Sequence, residues 1–332
     1  MADAGDREHR FLVHLGYAKA GSSFLQKVLF SGAHPEIGVL GAGAGADPAP
    51  GGRYLKSGAG VFLDGPEGAR HVSPFAYDPQ AARARILDMA RGGKRVSVIS
   101  NEELAGHPFS GGVYAGEIAR RIRDTLPDAR ILIMFREQRA MLLSAFADFV
   151  VKSNGRASLA RYLASTHHMQ VPWHQPDYYC FSGLVGWYRG AFGARNVLAL
   201  PMEALARDQD AALAEICRFL EVPALAKATG RGRENVRNYR SYAALRCLPW
   251  INAVGRPRPT GGNTGWNIPG LHEALRVGAT ALTPRWVEAQ VLRRDRARIE
   301  AHLASRIAAD NRRLQSMTGH DLAALGYLVT TG

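Results

Sequence analysis

Phe11-Leu12-Val13-His14-Leu15-Gly16-Tyr17-Ala18-Lys19-Ala20-Gly21-Ser22-Ser23-Phe24-Leu25-Gln26-Lys27-Val28-Leu29 changes its period midway. Residues 11–15 form a short apolar run that ends at Gly16. Beyond Gly21-Ser22-Ser23, the apolar residues Phe24, Leu25, Val28 and Leu29 recur at helical spacing. The segment therefore reads as strand, glycine loop and helix. In that context backbone N–H groups and a helix N-terminus face a bound anion. The spacing differs from the nucleoside-triphosphate loop, where Lys and Ser or Thr follow the second glycine directly. Here Ser22 follows Gly21, and the lysine lies inside the loop at Lys19. That disfavours a triphosphatase or a nucleotide kinase-like phosphotransferase. It puts the ammonium over a bridging or leaving oxygen and the Ser22 and Ser23 hydroxyls on a terminal phosphate. An ordinary glycine turn before a serine-capped helix has the same local sequence, so this segment needs a partner elsewhere in the chain.

The alternation continues outward. Residues 95–100 and 130–135 read as buried strands, as do residues 196–200, while 81–91, 118–126, 141–150, 184–192 and 211–220 read as helices. Strands alternating with helices of this length predict an α/β fold, a central and mostly parallel sheet flanked by helices. Ligands of such sheets bind at the carboxyl ends of the strands. That rule selects Gly16 to Ser23, Asn101 to Glu103, and Arg136. Two glycine-rich stretches, 41–60 and 256–270, read as loops, the first mobile. Residues from Pro284 onward read as a basic helix.

Composition bounds the rest. At 332 residues the chain fits about two domains of roughly 150 residues, or one large α/β domain with insertions. With 46% hydrophobic and 21% charged residues it folds as a globular protein, which excludes wholesale disorder and fibrous repeats. The net charge is +13, and only six of the 42 basic residues are lysine. Guanidinium suits bidentate contact with phosphate and sulfate, so the balance points to anionic ligands, nucleic acid or an anionic surface. Genomic base composition produces the same Arg-, Ala- and Gly-rich usage. Cys180, Cys217 and Cys247 are widely spaced, which fits neither a disulfide framework nor a zinc site. The mixed-charge N-terminus and the lack of a long apolar run predict a cytoplasmic protein with no transmembrane segment.

The loop residues Gly16, Lys19, Gly21, Ser22 and Ser23 resemble the 5′-phosphosulfate loop of the sulfotransferases that use 3′-phosphoadenosine 5′-phosphosulfate (PAPS). The departures are Ala18, where that family usually has proline, and Ser22-Ser23 in place of Thr-Thr. The family's 3′-phosphate motif, an Arg ending a strand and a Ser eight residues later, is matched by Arg136 and Ser144. An Arg fork and a helix hydroxyl approach one phosphate from two sides, and Arg139 between them adds positive potential. Further likeness runs through residues 177–222 and through Arg233-Glu234-Asn235-Val236, similar to the late segment that closes over the nucleotide. It ends in Asn311-Arg312-Arg313-Leu314 and Leu325-Gly326-Tyr327. Bacterial members acting on glycans, lipids or small metabolites look most similar.

The resemblance implies a P-loop NTPase-like fold of three layers and a single domain over 1–332. Its insertions would lie near 41–77 and 256–270, with a basic helical tail over 284–332. It implies PAPS as co-substrate, no metal, and a small-molecule, glycan or lipid acceptor, with nucleic acid not expected. The residues it implies for the nucleotide are Lys19, Ala20, Gly21, Ser22, Ser23, Phe24, Arg136, Ser144, Arg233 and Asn235. The catalytic residues it implies are Lys19, Glu102 and His107. Lys19 stabilises charge on the leaving oxygen. Glu102, in Ser100-Asn101-Glu102, matches a Ser-x-Glu segment and is the first choice of base; His107 is another, since aryl-type members use histidine. His14 reads as a packed, hydrogen-bonded histidine, and His167, His168 and His174 as acceptor-loop residues. Trp173, Tyr178 and Tyr179 read as either an acceptor cleft or a local core. The 293–298 arginine run reads as a solvated helix face. The competing class is a non-enzymatic binder of nucleic acid or an anionic surface, which has no need of Lys19, Arg136 and Ser144 in this order.

Overall fold

The computed structural model describes residues 9–17, 19–31, 34–40, 58–64, 73–107, 111–151, 155–164, 174–225, 241–247, 249–250, 274–275, 277–278 and 283–329. Strand β1 (Arg10–Gly16) leads through the glycine loop into helix α1 (Ser22–Leu25), which continues as a π-helical turn over Gln26–Phe30. Then follow β2 (Ile37–Val39), α2 (Gly60–Leu63), α3 (Pro79–Ala90), β3 (Val96–Asn101), α4 (Ala115–Thr125), β4 (Arg130–Phe135), α5 (Gln138–Val151) and α6 (Leu159–Ala164). The remainder comprises α7 (Phe181–Phe192), β5 (Val197–Pro201), α8 (Met202–Arg207), α9 (Gln209–Leu220) and the long α10 (Arg285–Thr318).

The five strands are all parallel, in the order β2-β3-β1-β4-β5. Their interiors are mostly apolar because helices cover the sheet; Val13, Val98, Ile99 and Ile131 to Phe135 are fully buried, and the polar residues His14, Ser97 and Ser100 are buried among them. β1 is central, and its register puts Leu15 beside both Asn101 and Ile133. The loop after Gly16 is therefore bracketed by the carboxyl ends of β3 and β4. This is the expected α/β sheet, with one strand the sequence reading lacks: Ile37-Gly38-Val39 is too short to show a period.

Helix ends follow local chemistry. Asp78 caps α3 by accepting from the N–H groups of Gln80 and Ala81, and Asp208 caps α9 through Ala211. Glycine ends α10 at Gly319, where φ is 73°. α10 packs on α5 and α7 along Ile299, Leu303, Ile307 and Leu314, all fully buried. Two buried polar side chains on the same face lock its position. Asp310 accepts from the backbone N–H and hydroxyl of Ser182 at the start of α7, and Asn311 pairs with Gln138 at 2.6 Å. Arg293, Arg294, Arg296 and Arg298 are exposed, the solvated face expected.

The stretch 41–60 departs from the loop predicted for it. Residues 41–57 lie outside the described residues, but Gly58, Ala59 and Gly60 are buried and open α2. Val61 and Phe62 of that helix are fully buried, so this insertion adds core rather than loop alone. Residues 256–270 lie outside the described residues. Among the described residues no helix is long and apolar enough to cross a membrane.

Candidate active site

The glycine loop is built by the end of β1. The Tyr17 N–H donates to the Met134 carbonyl at 2.9 Å, extending the ladder to β4 beyond the strand, and the Ala20 N–H folds back on the Tyr17 carbonyl at 3.0 Å. Gly21 has φ 92°, which glycine adopts without penalty; Lys19 has φ 67°, which costs a lysine on the order of 1 kcal/mol. The Arg136 guanidinium donates to the Lys19 carbonyl at 3.3 Å and holds this conformation. Gly16 is required by close approach, since a Cβ there would lie 2.6 Å from the Ser22 Oγ.

Helix α1 has no side-chain N-cap, and the Gly21 carbonyl takes the Phe24 and Leu25 N–H groups. The N–H groups of Gly21, Ser22 and Ser23 meet no acceptor among the described residues. The Ser22 hydroxyl is buried and without a hydrogen-bond partner. Leaving a buried donor unmade costs about 1–3 kcal/mol. Open N–H groups beside an unpartnered hydroxyl are donors of the kind that a bound anion takes. Ala20 and Phe24 lie within this loop; Ala18 lies outside the described residues.

The β4–α5 unit forms the second wall. Arg136 ends β4, and Ser144 lies two turns into α5. One turn further, Asp148 presents its carboxylate to the Lys19 ammonium at 2.8 Å, both side chains mostly buried. Arg139 is placed otherwise than expected. It donates to Glu137 at 2.7 Å, to Glu300 at 2.7 Å and to the Gly326 carbonyl at 2.7 Å, so its charge is neutralised within the fold. Glu137 also caps α5 through the Arg139 and Ala140 N–H groups. Its own N–H donates to Glu203, which accepts the Tyr327 hydroxyl at 2.6 Å. Burial raises the Glu203 pKa above the usual carboxylate range. The backbone that aims Arg136 is thereby tied to the C-terminal tail.

Beneath the loop, His14 is fully buried and shares a 2.7 Å hydrogen bond with the Ser100 hydroxyl, which the Gln26 amide reaches at 3.0 Å. This is the packed histidine expected. Burial pushes its pKa down to about 3, so the ring is neutral. The point 2.6 Å from Ser22 Oγ, where a Gly16 Cβ would sit, is 3.7 Å from His14 Nε2. One small volume thus separates the unpartnered hydroxyl from the unpartnered ring nitrogen.

At the end of β3, Asn101 accepts the Glu103 N–H at 2.8 Å and turns the chain into a 3-10 helix over Glu102–Ala105. Glu102 is exposed; burial above all, with the nearby Glu102 carboxylate adding to it, raises the Tyr178 pKa. Tyr178 donates to the Gly106 carbonyl at 2.8 Å and meets the loop's Tyr17 edge-on at 5.1 Å. His107, two residues past the 3-10 turn, is exposed. Tyr178 and Tyr179 are buried, hence local core. His174 packs among Tyr162, Tyr179 and His302. His167, His168, Trp173, Arg233 and Asn235 lie outside the described residues. Among the described residues no cluster of His, Cys, Asp and Glu could hold a metal ion.

This architecture is similar to the crystal structure of a sulfotransferase from Alicyclobacillus acidocaldarius, with a TM-score of 0.50 and 21% sequence identity over 96% of this chain and 98% of that one. The chain has the sulfotransferase fold. No family model and no curated protein match the sequence. Within the sulfotransferase fold, Lys19 and Arg136 are in direct contact across 117 positions of sequence. The sequence reading misses Asp148, although its spacing of four from Ser144 puts both on one face of a helix.

Proposed function

We propose that this chain is a PAPS-dependent sulfotransferase transferring a sulfuryl group to a hydroxyl of a carbohydrate, lipid or small-metabolite acceptor. The observation that carries the reading is the contact of Arg136 with the Lys19 carbonyl, beside the open N–H groups and the unpartnered Ser22 hydroxyl. Two anion-binding segments distant in sequence meet at the end of the central strand, as a nucleotide with phosphates at both ends of its ribose requires. The donor set fits PAPS: the loop from Lys19 through Phe24 would hold the 5′-phosphosulfate, and Arg136 with Ser144 the 3′-phosphate. Arg233 and Asn235 would close over the nucleotide. The whole chain, 1–332, would act as one domain with insertions.

When bound, PAPS supplies the activated sulfuryl group. Lys19 brings a positive charge to the oxygen that accumulates negative charge as the sulfur–oxygen bond breaks, the kind of fixed electrostatic stabilisation on which loose transfers depend. Glu102 takes the proton of the attacking hydroxyl. Its exposed position at the rim, after β3, leaves it open to an acceptor arriving from solvent. His107 is the alternative base. None of these roles calls on a metal.

Calorimetric titration with adenosine 3′,5′-bisphosphate in the presence of a chelator tests the reading, with binding expected and its absence overturning it. Turnover with labelled PAPS and an acceptor panel tests the roles. Lys19→Ala is expected to lower turnover about 10²–10³-fold. Glu102→Gln is expected to lower it about 10²-fold while sparing bisphosphate affinity; full turnover would move the base to His107.

A further inference from the structure

The Lys19 ammonium is already engaged within the fold. It sits 2.8 Å from the Asp148 carboxylate, with side-chain exposures of 25% and 15%. The residue's other end is held as well, because Arg136 donates to its carbonyl at 3.3 Å. Both anchors come from the β4–α5 unit, Arg136 at the strand end and Asp148 one helical turn past Ser144. A lysine stem has four rotatable carbons and about 2 kcal/mol of rotamer entropy, so an unpaired ammonium would otherwise sample many positions. A carboxylate is nevertheless a costly neighbour for an anion site. It opposes the incoming phosphosulfate and competes for the charge meant to bind it.

We propose that Asp148 is the positioning residue of this site: it holds the Lys19 ammonium at the loop until the anionic nucleotide takes it over. The inference rests on the reading of the loop as a nucleotide site. It assigns Asp148 a cost in affinity and a gain in order. Removing the carboxylate frees Lys19 to bind the nucleotide more tightly but less uniformly, so KM and kcat fall together. A merely structural aspartate would leave nucleotide affinity unchanged or weaken it.

The experiment is a double-mutant cycle on the full chain, read by calorimetry with adenosine 3′,5′-bisphosphate and by steady-state rates with PAPS. Asp148→Asn is expected to bind the bisphosphate about 2- to 5-fold more tightly than the unaltered protein, the range of a partly exposed ion pair, and to lower kcat. In a Lys19→Met background the same substitution is expected to lose most of that gain, because the competition for the ammonium no longer exists and only the direct repulsion of the anion remains. Asp148→Glu is expected to retain the unaltered affinity. If Asp148→Asn does not fold, Asp148→Ser replaces it, with circular dichroism and the thermal midpoint checking each variant. An equal gain in both backgrounds, or none in either, overturns the role of Asp148 while leaving the nucleotide reading intact. An unaltered protein that does not bind the bisphosphate overturns both.

Discussion

Gly16 shows how little space the anion loop leaves. It ends β1 in register with Met134, and the hydrogen that stands in place of a side chain faces both Ser22 Oγ and His14 Nε2. Gly16→Ala would force the Ser22 hydroxyl out of its rotamer while meeting the core only in ordinary van der Waals contact, at the Met134 Cβ 3.4 Å away. Bisphosphate affinity is expected to fall about tenfold, the worth of one hydrogen bond to a charged group, while the urea midpoint moves little. Titration of the purified variant measures both. The residues proposed for this chemistry were legible as candidates because each has a type and a position that only a few roles fit: Lys19 inside a glycine loop, Arg136 just past a strand, Ser144 on the following helix. Asp148 was not, since an acidic residue in a helix has many ordinary explanations and only the folded loop brings Lys19 to it. Arg139 was misread for a related reason. Sequence shows a charge but not its partners, and Glu137 and Glu300 occupy this one.

At the scale of elements, β1, β3 and the helix after the loop are joined below the site through His14, Ser100 and Gln26. The buried ring has its pKa pushed down to about 3 in the folded state, against 6.5 when unfolded. The unfolded chain therefore binds one more proton between these values. The stability is fully present above pH 6.5 and declines as pH falls toward 3, by about 1.4 kcal/mol per pH unit for this group. His14→Gln, which keeps a partner for Ser100, is expected to flatten the slope of unfolding free energy between pH 6 and 4 by that amount. Urea denaturation across the range measures it; an unchanged slope would mean that the ring is not the group that titrates. Long periodic elements such as α4, β4, α9 and α10 were readable in the sequence. Others were not: β2 is three residues long, α6 and α8 are single short helices, and the segment over Gln26–Phe30, read as ordinary helix, closes as a π turn.

For the whole molecule, the +13 charge divides into populations with different work. Arg136 faces the anion loop, while Arg121, Arg130 and Arg139 are bound to carboxylates or carbonyls of the fold. The arginines at 293, 294, 296 and 298 are exposed on α10. Changing these four to Gln is expected to weaken retention on heparin at low salt and to leave bisphosphate affinity within about twofold, since salt screens charges exposed to solvent. A large loss of bisphosphate affinity would bring α10 into the site. The α/β architecture was legible from the alternation of strands and helices alone. The buried α2 was not, because Val61 and Phe62 follow a glycine-rich stretch with no period to announce them.

The glycine loop hangs from a strand paired along both edges from Leu12 to Leu15, β1 between β3 and β4. Its amide hydrogens from Leu12 to Leu15 can exchange with solvent deuterium only when a neighbouring ladder separates, which in a five-stranded sheet amounts to unfolding the core. The N–H groups of Gly21, Ser22 and Ser23, which meet no acceptor among the described residues, should label at once. Nucleotide would then be seen in a deuterium map as a sudden slowing over a few loop amides, set against a strand that was slow throughout.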